Sequence, residues 1–305
     1  GPDSAGANPG PAAYRRGGPL TVTDANVMLG KLRPEFFPAI FGKGQDQRLD
    51  ASVVTEKFAA LANEVGGRSA EEVAEGFVTI AVENMANAIK KISVQRGYDV
   101  TRYLLNCFGG AGGQHACLVA DALGMQSVLI HPYSGLLSAY GIGQARLFAS
   151  RQQALIKPLT EASRPDLNTI LRRIKKEVTE ELQGQGIAAK DIRFREVLHL
   201  RYDGTDTALP VTLQNGSFET ALKDFQSAHK AQFGFIYPDK PVVIEAAEVE
   251  GEDSKASIND APESAKSASG SFNANDTCRV FSGGAWSEAS IARRENLNPG
   301  DTVKG

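Results

Sequence analysis

The chain has 305 residues, of which 42% are hydrophobic and 23% are charged, and its formal net charge is −3. This charge gives no basic excess for binding nucleic acid, and no apolar run reaches the roughly 18 residues of a membrane-spanning helix. Three scattered cysteines do not suggest a disulfide framework, so the composition favours a globular protein of a reducing, cytoplasmic compartment.

The first 19 residues are rich in glycine and proline, which predicts a loop. The chain begins with Gly instead of Met, and we expect it to be a piece of a longer polypeptide. A helical stretch is predicted around Asp24. Asp24 is a candidate active-site acid, although a role as a helix cap explains it at least as well.

Apolar residues at helical spacing predict two longer helices, over residues 50–65 and 69–95. Ser69 and Glu72 fit the capping box that opens a helix. The second helix is predicted to bury one stripe of side chains. That stripe is Val73, Phe77, Ile80, Ala81, Met85, Ala88, Ile89 and Ile92.

The pattern then changes to short apolar runs separated by glycines. Residues 102–107 and 126–130 predict two buried strands, and residues 112–124 predict the helix that joins them. A strand, a glycine loop, a helix and a second strand form the βαβ unit of a parallel sheet, joined by a right-handed crossover.

The loop in this unit reads "GGAGG", Gly109–Gly113, and His115 follows in the first turn of the helix. Bare backbone at a helix N-terminus suits a phosphate or another polar ligand atom. The spacing is neither the dinucleotide fingerprint nor a P-loop. A nucleotide-contacting turn and a tight structural turn therefore both remain open. His115 is either a ligand contact or a packed histidine, and no spacing of side chains indicates a metal site.

The second half of the chain alternates helical and strand patterns. In chain order we predict a helix over 134–148 with Ser134 as its cap, a polar break over 151–165, a helix over 166–185, a hairpin over 194–213 with its turn at Asp203–Asp206, a helix over 217–232, a strand over 242–251, a flexible stretch over 252–276 and a strand over 277–284.

Five blocks of the sequence resemble the hydantoinase A/5-oxoprolinase family and occur in the family's order. The blocks are "GPDSAGANPGPAAYRRGGPLTVTDANVMLGKL", "NCFGGAGGQHACLVADALGM", "IHPYSGLLSAYGIG", "LRYDGTDTAL" and "FGFIYPDKPVVIE". The resemblance implies an α/β, actin-like ATPase fold, in which a βαβ unit with flanking helices precedes a smaller α+β segment. Residues 1–150 would be the C-terminal half of the ATPase-like domain, and residues 151–305 the α+β segment.

The same resemblance implies an ATP- and Mg²⁺-dependent hydrolase that opens the lactam of 5-oxo-L-proline to give L-glutamate, in glutathione metabolism. Alternatives are an N-methylhydantoinase, an acetone-carboxylase-type subunit and a non-catalytic remnant that binds partners. In the family's fold the glycine turn packs against adenosine, so we expect Gly109, Gly110, Ala111, Gly112, Gly113 and His115 to contact the nucleotide.

The chain departs from the family pattern in three ways. No segment matches the family's two phosphate loops, the hydantoinase B-type region is not represented, and Ala13 stands where the family commonly has Cys. We therefore expect the chain to be inactive alone and to need the remaining hydantoinase A- and B-type regions, with a cyclic-amide substrate and a homodimer among the parent's partners. Catalytic residues are not assigned, although Asp203 and Asp206 join Asp24 as the acids considered.

Overall fold

A computed structural model describes residues 4–255, 276–297 and 300–302. The chain divides into two compact units: the first contains 1–90, 100–136 and 261–305, and the second contains 91–99 and 137–260. This grouping follows packing, and the sequence division between residues 150 and 151 stays a prediction. None of the helices described is both long and apolar enough to cross a membrane.

The described residues form seven α-helices and eight β-strands. The helices are α1 (Val22–Met28), α2 (Ala51–Val65), α3 (Ala70–Gln95), α4 (Ala116–Leu123), α5 (Leu137–Gln144), α6 (Arg164–Gly184) and α7 (Phe218–Phe233). The strands are β1 (Leu105–Cys107), β2 (Val128–Ile130), β3 (Phe148–Pro158), β4 (Ile192–Tyr202), β5 (Leu209–Thr212), β6 (Val242–Asp253), β7 (Asp276–Ser282) and β8 (Ala285–Ile291).

The two long helices predicted between residues 50 and 95 are confirmed, and so is the capping box predicted for the second of them. Asp50 caps α2, because its carboxylate accepts hydrogen bonds from the amides of Ser52 and Val53 at 3.1 and 3.2 Å. Ahead of α3, the Ser69 amide donates to Glu72 at 2.7 Å and the Glu72 amide donates to Ser69 Oγ at 3.2 Å. This reciprocal pair is the predicted capping box.

The buried stripe predicted for α3 is partly wrong. The residues of α3 that lie in the core are Val73, Ala74, Val78, Val82 and Ala86. By contrast Ile80 is 64% exposed and Ile92 is 59% exposed. The core face runs through small residues spaced by four, and the prediction favoured bulkier side chains on neighbouring faces.

The predicted parallel pairing and the helix between the two strands are confirmed, and the right-handed crossover stays a prediction. Strands β1 and β2 pair in parallel with Leu105 opposite Val128, and α4 lies between them in sequence. Their predicted burial is wrong for β2, where Leu129 is 46% exposed and Ile130 is 44% exposed, and in β1 it holds only for Cys107. The reason is that this sheet has only two strands within the described residues.

Asp24 is fully buried and organises the loop before α1. The N-cap of α1 is Thr21, so the expectation that Asp24 caps the helix is wrong; Asp24 is instead the N3 partner in a capping box. The Asp24 carboxylate also accepts hydrogen bonds from the amides of Ala12 and Ala13 at 3.1 and 2.8 Å. These bonds satisfy the carboxylate, which favours a structural role.

The second unit contains one antiparallel sheet with strand order β3-β6-β4-β5. The predicted hairpin is confirmed as β4 and β5, which pair with Val197 opposite Thr212. Strand β6 pairs with both β3 and β4. Helix α6 packs on this sheet through a buried stripe of Leu167, Leu171, Ile174, Val178 and Leu182.

Three predictions outside the first unit's core need correction. Strand β3 occupies much of the predicted polar break at 151–165, because an edge strand with alternating exposed side chains shows no apolar run. Ser134 begins a short 3-10 turn ahead of α5 and does not cap that helix.

Of the stretch predicted to be flexible, residues 252–253 belong to β6 and residue 276 begins β7, whereas 256–275 lie outside the described residues. The predicted tail strand is β7; its antiparallel partner β8 had not been predicted.

Candidate functional site

The glycine loop leads from the end of β1 into α4. A 3-10 turn over Gly112–Gln114 precedes His115, which is the N-cap residue of α4. The Gly109 amide donates to the Ser134 carbonyl at 2.8 Å, and the His115 amide donates to the Gly112 carbonyl at 3.1 Å. These bonds fix both ends of the loop.

Only two of the four glycines are needed by the loop itself. Gly109 has φ of +91°, a conformation that side chains disfavour. A Cβ atom on Gly112 would lie 2.9 Å from Cys107 Sγ, which is closer than packed atoms approach. A Cβ atom on Gly110 or Gly113 would meet no described atom within 4 Å. The loop therefore leaves open space at Gly110 and Gly113.

Free backbone donors accompany that open space. Within the part of the chain that the structure describes, the amides of Gly110 and Ala111 make no hydrogen bond. A backbone N–H is an obligatory donor that normally finds a partner in the protein, in water or in a ligand. The loop can thus offer two donors to a bound molecule.

A cavity of about 430 Å³ adjoins the loop. Its wall combines α3, β1, the loop and α4. The lining residues are Met85, Ala88, Ile89, Leu105, Asn106, Cys107, Phe108, Ala111, Gly112, His115, Ala116 and Val119. The side chains of this wall are mostly apolar, and Met85, Ala88 and Ile89 belong to the stripe that the sequence predicted as core.

His115 is a polar residue of this mostly apolar wall, and it contacts a buried asparagine. Its Nε2 atom lies 3.2 Å from Nδ2 of Asn26, a residue of α1 that is 1% exposed. In this orientation the amide donates to Nε2, so the ring is neutral and carries its proton on Nδ1. Burial lowers the pKa of His115, and the nearby positive charge of Lys31 lowers that pKa further.

Two buried polar atoms of this pair have no partner among the described residues: Nδ1 of His115 and Oδ1 of Asn26. A buried polar atom without a partner is uncommon and calls for an explanation such as a ligand or water. The cavity can therefore accept a largely apolar molecule, and a ligand or water that reaches His115 Nδ1 would satisfy that atom.

The structure brings the predicted site residues Gly109–Gly113 and His115 into one loop, and Ala111, Gly112 and His115 line the cavity. It does not place Asp203 or Asp206 there, because both belong to the second unit. The sequence analysis missed Asn26 and Lys31. The one signal for Asn26 was a polar side chain on the buried face of a short helix.

Solved structures define the class of fold. The chain matches the ATP-dependent caprolactamase of Pseudomonas jessenii with a TM-score of 0.71 and 29% identity, over 82% of this chain and 37% of that one. It matches a nucleotide-free acetone carboxylase with a TM-score of 0.68 and 21% identity, over 100% of this chain and 45% of that one. The chain therefore has part of an actin-like ATPase fold, as the sequence predicted.

Sequence comparison gives the family. The hydantoinase/oxoprolinase family model matches residues 1–151, and the model of the hydantoinase/oxoprolinase C-terminal domain matches residues 158–305. The chain belongs to the hydantoinase/oxoprolinase family. It is 43% identical to the 5-oxoprolinase of Saccharomyces cerevisiae over 256 residues. This matched region covers 80% of this chain and 20% of the yeast protein. The chain spans about a fifth to a quarter of the length of several curated relatives.

Proposed function

We propose that the chain is part of an ATP-dependent cyclic-amide hydrolase of the 5-oxoprolinase type, and that its glycine loop contacts the adenosine part of ATP. The names of two relatives support the chemistry: one is a 5-oxoprolinase and the other an ATP-dependent caprolactamase. Both names describe enzymes that act on lactams. The parent enzyme would act in the cytoplasm, in glutathione metabolism, together with the further hydantoinase A- and B-type regions.

One observation carries the assignment of the adenosine site: His115 lines an apolar cavity that the glycine loop helps to form, and its buried Nδ1 has no partner among the described residues. A neutral imidazole with its proton on Nδ1 is a donor to a purine ring nitrogen. The lowered pKa of His115 keeps the ring in this neutral form near pH 7.

The residues present fit a nucleoside. The cavity, at about 430 Å³, is within the usual range for small-molecule sites. Met85 and Ile89 of α3 supply an apolar surface for a flat base. Gly110 and Gly113 do not line the cavity; they lie in the exposed part of the same loop, where the sugar would extend. The free amides of Gly110 and Ala111 supply donors for polar ligand atoms. When bound, ATP supplies the phosphoryl group that activates the amide oxygen of the lactam.

We assign no described residue to Mg²⁺, which proteins usually hold through one or two carboxylates together with substrate phosphates. Among residues 4–255, 276–297 and 300–302, no three His, Cys, Asp or Glu side chains lie close enough together to hold a metal ion. The Mg²⁺ that the family resemblance implies is therefore not assigned to this part of the chain, and no catalytic step is derived through it.

The proposal is tested by adenosine binding, since the site contacts the nucleoside. Gly110→Val should raise the Kd for adenosine at least about tenfold, because the branched side chain fills the open space of the loop. Gly184→Val is the matched control: Gly184 ends α6 in the second unit, and a Cβ atom there also meets nothing within 4 Å. The measurement is isothermal titration calorimetry.

Two outcomes would contradict the proposal. Equal affinity of Gly110→Val and wild type would show that the loop is only a structural turn. No adenosine binding by the wild-type chain would favour the non-catalytic remnant that binds partners.

A His115→Gln variant should also bind adenosine more weakly, since the glutamine cannot reproduce a ring donor at the Nδ1 position.

A further inference from the structure

We infer that a second cavity of the first unit binds a small oxyanion, either a carboxylate or a phosphate group of a small molecule. This cavity has a volume of about 580 Å³. Three cationic side chains line it, Arg15, Arg16 and Lys43, together with the amide side chains of Asn8 and Gln45. The inference does not depend on the adenosine site, because the two cavities share no lining residue.

The lining contains no carboxylate among the described residues. Two residues that do not line the cavity fix the Arg15 side chain. Arg15 Nη1 donates to Asp50 Oδ2 at 2.5 Å, and Arg15 Nε donates to the Arg48 carbonyl at 2.8 Å. Burial alone would raise the pKa of Asp50, but hydrogen bonds from Ser52 and Val53 and the charge of Arg15 lower it. Asp50 is thus an ionised anchor that orients Arg15.

Arg16 and Lys43 differ from Arg15, because neither forms an ion pair with a described residue. Arg16 uses Nη1 to donate to the carbonyl of Ala7 at 3.1 Å, which positions the guanidinium and leaves its other donors available. The cavity therefore holds two positive charges that no described carboxylate neutralises. The chain as a whole has a net charge of −3, so this positive charge is a local feature.

The three cationic side chains belong to two loops, and a backbone hydrogen bond connects these loops. The Gly42 amide donates to the Tyr14 carbonyl at 3.2 Å, next to Arg15 in one loop and Lys43 in the other. Arg15 has φ of 62° and Gln45 has φ of 55°, which are uncommon for residues with side chains. Such conformations persist only where the surrounding structure enforces them, and they concentrate at binding sites.

The side-chain types select the ligand class. An arginine fork pairs with two oxygens of one carboxylate or phosphate group, and a lysine adds a compact positive charge. The amides of Asn8 and Gln45 offer neutral donors to the same group. The cavity therefore suits a small molecule with one oxyanion.

The experiment measures the melting temperature of the chain while inorganic phosphate or acetate replaces chloride at constant ionic strength. At least one of the two anions should raise the melting temperature of the wild type in a saturable way. The double variant Arg16→Gln/Lys43→Gln should weaken that binding at least about tenfold. Which anion acts distinguishes a phosphate from a carboxylate ligand.

The matched control is Arg68→Gln/Lys190→Gln, which removes the same two charges at exposed positions outside the cavity. This control should bind the anion as the wild type does. Adenosine binding should be unchanged in both double variants, which separates this inference from the proposed function. The inference is overturned if neither anion stabilises the wild type more than chloride, or if Arg16→Gln/Lys43→Gln responds as the wild type. Lys43→Gln alone, at an exposed site, provides a second folded variant.

Discussion

Asn26 and His115 are 89 positions apart in the sequence, yet the Asn26 amide nitrogen lies 3.2 Å from His115 Nε2. This contact connects α1 to the start of α4 and holds the imidazole at the cavity wall. Asn26 is buried and His115 is half-buried, so the hydrogen bonding of the pair and the protonation of His115 are linked to folding as well as to binding.

The stability of the chain should fall with decreasing pH partly because of His115. Burial and Lys31 lower the pKa of His115 below the usual histidine value of 6.5, so the unfolded state binds the proton more tightly than the folded state. Protonation therefore favours unfolding as the pH falls through the unfolded pKa. Between pH 7.5 and 5.5, His115→Gln should lose less melting temperature than the wild type. An equal loss in both proteins would contradict this.

Gly112→Val and Gly110→Val should differ in stability. A side chain on Gly112 meets Cys107 Sγ, so we expect Gly112→Val to cost about 1–3 kcal/mol in free energy of unfolding. Gly110→Val enters open space and should change it by less than about 0.5 kcal/mol. Urea unfolding measures both, and adding Cys107→Ala should recover part of the loss in Gly112→Val. Equal losses at the two positions would refute the close approach of Gly112 to Cys107.

Asp24→Asn should destabilise the first unit by about 2–4 kcal/mol. The carboxylate accepts four hydrogen bonds, from the amides of Ala12, Ala13 and Thr21 and from Thr21 Oγ1. Asparagine has one accepting oxygen, and its NH₂ group would face backbone donors. Asp206→Asn, at an exposed turn, is the matched control and should change stability by less than about 0.5 kcal/mol. Similar stabilities of the two variants would show that the Asp24 network contributes little.

Gly251→Ala should destabilise the second unit by about 1–3 kcal/mol. A Cβ atom on Gly251 in β6 would lie 2.6 Å from Val178 Cγ1 and 2.9 Å from Leu182 Cδ1 of α6. Val178→Ala removes the nearer atom, so the Gly251→Ala/Val178→Ala pair should lose less than the sum of the single losses. Additive losses in a double-mutant cycle would contradict this packing.

The chain by itself should not release glutamate from 5-oxoproline in the presence of ATP, Mg²⁺ and K⁺. Phosphoryl transfer depends on positioning the phosphates and the metal, and no segment of the chain matches the family's phosphate loops. A glutamate-release assay, with a full-length family member as positive control, measures this. Turnover within about 100-fold of that control, roughly 2.7 kcal/mol in barrier, would show that the catalytic centre lies within this chain.

The sequence predicted most helices and the βαβ unit because their signals are local. The capping box at Ser69 and the apolar spacing of α2 are set by neighbours within a few residues. Strand β3 was missed because an edge strand has polar residues at its exposed positions, and its partner β6 lies about 90 residues further along the chain.

The candidate site was predicted only in part for a similar reason. The glycine loop is visible as a motif, whereas Asn26 and Lys31 reach His115 only through tertiary packing. Likewise, Gly110 and Gly112 look equivalent in the sequence. Their difference depends on Cys107 Sγ, which only the fold brings close to one of them.

The central position of β6 has a consequence for synthesis on the ribosome. Strand β4 ends at Tyr202, and its partner β6 is complete only at Asp253, about 50 residues later. At a translation rate of about 5–20 residues per second, one edge of β4 waits roughly 3–10 seconds for β6, and β3, which ends at Pro158, waits roughly 5–19 seconds. During that interval both strands present unpaired backbone groups, so this stretch of the nascent chain is where chaperone protection would matter most.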